Sequence, residues 1–211
     1  MKEKLREWIH RGFGRERDVI ELWISLQARE YPELAASRVL ELGCGAGVLA
    51  GAFDPQRYHG IDSDPMAVAA ACRRYPDYDF RVADLRSPET VPLFRDAAAV
   101  VCHGVLHHLN DAELERLLAV IVKATPPGAS LLAIEPVLPP WTMPAGRLLA
   151  SWDRGAWIRP ASRLEELVTS SGLRLAESRR ISLWPRYPIP SNAYRFIKDR
   201  PGHQSVNGKD E

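Results

Sequence analysis

Brief apolar runs alternate with amphipathic stretches along most of this chain. Runs near 38–42, 58–62, 78–83, 97–102 and 129–135 are short, rich in Val, Ile, Leu or aromatic residues, and bounded by Gly, Pro or Asp, which predicts strands. Between the fourth and fifth, Leu114, Leu117, Leu118, Ile121 and Val122 recur at helical spacing after the start signal Asn110-Asp111, and Pro126-Pro127-Gly128 ends the helix. Pro65 opens another helix through about Arg74 with Asp64 as its N-cap, and a further one over Ser162–Val168 is ended by Gly172. Two more strand-like runs follow, at about 173–182 and 192–198. Strands alternating with helices predict an α/β domain built on a parallel sheet. Residues 1–34 read as an N-terminal helical lid or cap, 35–198 as the main domain, and 199–211 as a polar, mobile tail. No internal repeat interrupts this order.

The chemistry starts at the tips of those strands. Val39-Leu40-Glu41-Leu42-Gly43-Cys44-Gly45-Ala46-Gly47 is an apolar strand that ends in an acid and runs into alternating glycines. Glycine lets backbone amides approach a ligand closely and accepts positive φ. A dinucleotide fingerprint would need glycine at 48, where this chain has Val48. That departure disfavours a pyrophosphate and favours a ligand whose carboxylate and ammonium meet the loop, hence S-adenosylmethionine over NAD. About 20 residues on, Asp62 ends the second strand, where a carboxylate can accept both hydroxyls of a ribose. Asp84 and Leu85 close the third strand and offer an acceptor and a backbone donor to an adenine.

With Glu41 through Gly47, Gly60-Ile61-Asp62, Ala83-Asp84-Leu85 and Leu106-His107-His108-Leu109 in this order, residues 35 to 198 resemble the class I S-adenosylmethionine-dependent methyltransferases. The resemblance implies a Rossmann-like, seven-stranded, mostly parallel sheet with helices on both faces and the last strand antiparallel. It also implies that Glu41, Gly43, Cys44 and Gly45 hold the methionine portion, Asp62 with Ser63 the ribose and Asp84 with Leu85 the adenine. His103 and Gly104 would border the cofactor, whose spent form is S-adenosylhomocysteine.

Transfer of a methyl group from a sulfonium needs alignment more than acid–base help, although a hydroxyl acceptor usually wants a base nearby. His103 and His107 are the candidate bases, with packing or capping as the plainer role of His107 and His108. Acceptor choice falls to segments outside the cofactor site. One is the N-terminal region with Trp8, Phe13 and Trp23. The other is the insertion 136–160, whose prolines and whose Trp141, Trp152 and Trp157 suggest a rigid aromatic wall for an apolar or aromatic small molecule. Arg154 and Arg159 are weighed there as partners for an anionic group, against a reading as solvated surface. The Asp153-Arg154-Gly155 to Arg159 stretch weakly resembles bacterial methyltransferases of small metabolites and lipid-like molecules.

Composition narrows the alternatives. With 28 basic and 27 acidic residues, the net charge of +1 gives no field to recruit nucleic acid. No apolar run is long enough to span a membrane, and the charged N-terminus lacks a signal-type segment, so a cytoplasmic protein is expected. Cys44, Cys72 and Cys102 are unclustered, which argues for reduced thiols, and His103, His107 and His108 have no partnering cysteine or carboxylate at metal-like spacing, so no metal site is expected. Cys44 reads as a space-filler between glycines rather than a reactive thiol. The expected activity is methylation of a small-molecule acceptor, with oxygen slightly ahead of nitrogen or carbon. A cofactor-fold binding or scaffold protein is the runner-up, and an NAD(P)-dependent oxidoreductase ranks below it. The aromatic N-terminal residues would suit a lid or a homodimer surface.

Overall fold

The computed structural model describes residues 37–150, 157–181 and 190–200. The N-terminal region, Trp152, Arg154 and the tail beyond Arg200 lie outside the described residues. Seven strands, β1 (Arg38–Leu42), β2 (Tyr58–Asp62), β3 (Asp79–Val82), β4 (Ala97–His103), β5 (Ser130–Pro136), β6 (Leu173–Ile181) and β7 (Ser191–Lys198), form one sheet in the order β3-β2-β1-β4-β5-β7-β6. All neighbours among the first five are parallel, and β7 runs antiparallel to both β5 and β6. The expected mostly parallel sheet with one antiparallel strand is what the chain forms.

The two-residue period of the strands separates two cores. Leu40, Leu42, Val100, Cys102, Leu131 and Ala133 point to one face. There they meet Leu114, Leu117, Leu118 and Ile121 of α2 (Asp111–Ala124) and Leu164, Leu167 and Val168 of α4 (Ala161–Ser170). Val39, Tyr58, Phe80, Val101 and Ile134 point to the other face, beside Val68 and Ala71 of α1 (Pro65–Arg74). The start signals act as expected: Asp64 accepts from the Met66 amide, and Asn110 and Glu113 form a reciprocal capping box. Two features go beyond the sequence reading. A short helix, α3 (Pro144–Ala150), lies within the proline-rich insertion, and a 3₁₀ segment spans Pro88–Phe94. Among the described residues no helix is long and apolar enough to cross a membrane.

This strand order matters for the site. The chain crosses from β3 at one edge back to β4 beside β1, so the connections leaving β1 and β4 turn to opposite sides. The C-terminal ends of β1 and β4 are therefore a topological switch point, where open α/β sheets bind ligands.

Candidate active site

The first three strand tips are stitched to one another. The Cys44 amide donates to the Ile61 carbonyl at 3.0 Å, the Gly45 amide donates to Asp62 Oδ2 at 2.8 Å, and the Ala83 amide donates to the Asp62 carbonyl at 2.9 Å. Gly43, Gly45, Asp62 and the start of the Ala83-Asp84-Leu85 turn therefore share one rim. Ser63 is exposed on it, and the Asp64 amide caps the other Asp62 oxygen at 2.9 Å. A carboxylate has about four acceptor positions, so two remain for hydroxyls after these amides are counted.

The glycines of the loop serve different ends. Gly43 (φ +67°) has Val105 so close that an added Cβ would lie 2.5 Å from its Cγ2. At Gly45 (φ +51°) an added Cβ would meet none of the described residues within 4 Å, so among them this backbone faces open space. Among the described residues the loop leads into turns and a three-residue 3₁₀ segment, Ala50–Ala52, and not into an α-helix. It thus lacks the helix N-terminus that a pyrophosphate would use. Cys44 is buried, and its thiol is pushed well above the ordinary range by burial and then by Glu41 and Asp62, which leaves it an inert filler.

Beneath the loop sits Glu41, 2% exposed, accepting a 2.5 Å hydrogen bond from the Tyr58 hydroxyl. Burial raises its pKa to about 8, against the lowering effect of the Tyr58 bond and with a further push from Asp62. Folding therefore takes up a proton at this residue between its ordinary value of 4.5 and about 8. Its contribution to stability is full below pH 4.5, falls as pH rises and levels off above about 8. Glu41→Gln keeps an oxygen for Tyr58 and cannot ionise. It should match the wild type near pH 5 and exceed it at pH 8 by roughly 3 kcal/mol. Denaturant midpoints of the two proteins across that range check this, and parallel curves would refute it.

Asp84 is exposed, accepts from the Arg86 amide at 2.9 Å, and faces the Arg86 guanidinium at 3.5 Å. Arg86 also donates to Glu113 at 2.9 Å, tying the turn after β3 to the start of α2. Asp84 so held leaves acceptor positions for an exocyclic amine, with the Leu85 amide adjacent.

After β4 the chain makes a 3₁₀ turn, Leu106–His108, that is gripped from two sides. Glu135, 1% exposed at the tip of β5, accepts from the amides of Val105 and Leu106 at 2.8 Å each and of His107 at 3.3 Å. It also meets His107 Nδ1 at 2.8 Å. From the other side Arg159 donates to the Leu106 and Leu109 carbonyls at 3.1 and 2.6 Å and to Asp111 at 2.8 Å. Arg159 is 8% exposed, which corrects its reading as solvated surface: its guanidinium is committed to these protein acceptors. The tightness of this region shows in the crevice lined by Leu106, His107, Glu135, Trp157 and Arg159, about 10 Å³, space for a single water at most.

The histidines are not equivalent. His103 ends β4 with its pKa lowered, chiefly by burial, so it is neutral at pH 7. His107 is buried and bound to Glu135, and its ring lies 4.2 Å from that of the exposed His108. Among the described residues no three His, Cys, Asp or Glu side chains are grouped to hold a metal ion.

Of the aromatic wall, Trp157 donates its amide to the His107 carbonyl at 3.0 Å and leaves its side chain half exposed beside the site. Trp141 is 83% exposed, and the Arg147 guanidinium lies 3.6 Å from its ring centroid. The neck of the insertion is closed by the Leu138 amide bonding the Arg159 carbonyl at 2.8 Å.

Three contacts that shape this region escaped the sequence reading: Tyr58 on Glu41, Glu135 on the turn after β4, and the brace from Arg159. Glu135 carried a visible signal, an acid ending a buried strand as Glu41 and Asp62 do.

Comparison with known proteins agrees with this geometry. Residues 40–131 match the model of the methyltransferase domain family. Phosphoethanolamine N-methyltransferase 1 of Triticum aestivum is 31% identical over 110 residues, 49% of this chain, and the chain spans only 22% of that relative's length. Among solved structures, magnesium protoporphyrin IX methyltransferase from Synechocystis PCC 6803 with bound SAH superposes with a TM-score of 0.68 at 16% identity, covering 92% of this chain and 87% of that one. The N-methyltransferase NodS from Bradyrhizobium japonicum WM9, in complex with S-adenosyl-L-homocysteine, gives 0.67 at 22% identity, covering 89% and 88%. The chain thus has the Rossmann-like fold of these class I S-adenosylmethionine-dependent methyltransferases, and its residues 40–131 match the methyltransferase domain model.

Proposed function

We propose that this protein transfers a methyl group from S-adenosylmethionine to a small-molecule acceptor with an apolar or aromatic body, an oxygen acceptor being slightly favoured. The observation that carries the reading is the 2.8 Å bond from the Gly45 amide to Asp62, which holds an open glycine backbone and a ribose-type acceptor on one rim. The cofactor would supply an electrophilic methyl on a sulfonium, and the products would be the methylated acceptor, S-adenosylhomocysteine and a proton.

The chain's own part is binding, alignment and proton handling. The Gly43–Gly45 backbone and Glu41 suit an amino-acid tail, Asp62 and Ser63 a ribose, and Asp84 and Leu85 an adenine. His103 and Gly104 border the space above β4. A neutral, desolvated His103 is competent to accept a proton from an acceptor hydroxyl, with His107 beside it as the second candidate base. Trp157 and Trp141 offer aromatic surface on the acceptor side. Trp152 and Arg154 are proposed as further residues that choose the acceptor.

Titration calorimetry with S-adenosylhomocysteine is expected to give a micromolar Kd, and label from methyl-labelled S-adenosylmethionine should enter a small molecule of a cell extract. Binding without transfer would favour a scaffold role. No binding, together with enhanced NADH fluorescence on mixing, would favour an oxidoreductase and overturn the proposal.

A further inference from the structure

We infer that Glu135 is a positioning residue of the transfer site: it fixes the proton of His107 on Nδ1 and sets the post-β4 turn so that Val105 supports the glycine loop. This rests on the cofactor site proposed above and assigns work to a residue outside it.

Three backbone amides, those of Val105, Leu106 and His107, converge on the two Glu135 oxygens. A carboxylate receiving amide protons has only acceptor capacity to offer, so the 2.8 Å contact with His107 Nδ1 requires the imidazole to donate there. In the neutral imidazole the proton then sits on Nδ1, and Nε2 is the nitrogen that accepts. The ring's Cε1 edge lies beneath Gly104, 3.6 Å from where a Cβ would stand, so the orientation of His107 is felt at the residue bordering the site.

The second arm runs through Val105. Its amide is held by Glu135, and its side chain is so close to Gly43 that any Cβ there would overlap it. The β5 tip therefore fixes the β4 turn, and the β4 turn supports the loop after β1. Arg159 completes the clamp by holding the carbonyls of Leu106 and Leu109, so the turn can neither rotate its peptides nor lift without breaking charge-assisted bonds on both sides. Such a buried, fully partnered network keeps a site within the narrow tolerance that in-line transfer needs.

The test uses the full chain labelled with ¹⁵N at histidine, with the His107 signals assigned by their loss in His107→Gln. Wild-type His107 should show a protonated Nδ1 and an unprotonated Nε2. In Glu135→Gln the side-chain NH₂ faces Nδ1, so the tautomer should reverse, and the Kd for S-adenosylhomocysteine should rise about tenfold. Val105→Ala keeps the amide grip and removes the buttress, so it should weaken S-adenosylhomocysteine several-fold without changing the His107 signals. Should Glu135→Gln fail to fold, the wild-type tautomer and the Val105→Ala affinity carry the test. A wild-type His107 protonated on Nε2, or variants that bind within twofold of wild type, would overturn this inference alone. A wild type that ignores S-adenosylhomocysteine would overturn the cofactor reading and this inference with it.

Discussion

Asp62→Ala is expected to reduce the affinity for S-adenosylhomocysteine at least a hundredfold while leaving the protein folded. The side chain has two roles that the substitution removes together. It accepts the Gly45 amide at 2.8 Å and so anchors the open part of the glycine loop to the tip of β2. In the proposed cofactor site it would also present its remaining acceptor positions to the ribose. Hydrogen bonds to a charged acceptor contribute about 1.5–3 kcal/mol each, so losing two on the ligand accounts for two or more orders of magnitude before any loosening of the loop is counted. The cost to folding is smaller, about 1–2 kcal/mol, because the side chain is only partly buried and water can reach the freed amides. Asp62→Asn separates the roles. It retains one acceptor oxygen but turns an NH₂ toward one of the two amides that Asp62 now receives, so an intermediate loss of about tenfold is expected. Calorimetry beside a circular dichroism melt reads both quantities. Asp62→Ala binding within threefold of wild type would mean that the rim formed by β1 and β2 is not where the nucleoside sits.

What the sequence made legible was whatever one strand or one helix decides by itself. Glu41, Asp62 and Asp84 stood out because acids at successive strand ends are where a nucleoside-type ligand needs acceptors. The helix over Asp111–Ala124 was legible because its cap, its apolar face and its stop are all local. Pairings between distant residues were not. Arg159 lies 48 residues from Asp111 and 53 from Leu106, and nothing near Arg159 in the chain distinguishes it from a surface arginine. Tyr58 lay inside a strand assignment that was right, yet its reach to Glu41 depends on the parallel register that sets Glu41 opposite Gly60. The insertion was read as a rigid aromatic wall because its prolines and tryptophans are what its sequence displays. Its short helix Pro144–Ala150 and the closed neck at Leu138 and Arg159 depend on contacts with the rest of the fold.

That register also explains why Gly60 is expected to be the most sensitive position in the sheet. Gly60→Ala should destabilise the protein by about 3–4 kcal/mol, although alanine suits a strand's backbone and the position carries no positive φ. An added Cβ would sit 2.7 Å from the Tyr58 hydroxyl, 2.8 Å from Phe80 Cδ1 and 2.9 Å from Cys44 Cβ. The Phe80 ring and the Tyr58 ring pack edge to face at 5.6 Å, and Cys44 is held by its own amide to β2, so none of the three can yield without moving a neighbour. Overpacking alone costs about 1–3 kcal/mol. Displacing Tyr58 adds the loss of the hydrogen bond to Glu41, whose buried carboxyl has no other hydrogen-bond partner among the described residues. A double-mutant cycle isolates this second part. Tyr58→Phe removes both the atom nearest the new methyl and the bond that the methyl would break, so Gly60→Ala should cost less in a Tyr58→Phe background, by about 1 kcal/mol or more. Equal costs in the two backgrounds would show that the methyl is accommodated without disturbing Tyr58. The link from Gly60 through Tyr58 to Glu41, and so to the floor of the glycine loop, would then be refuted.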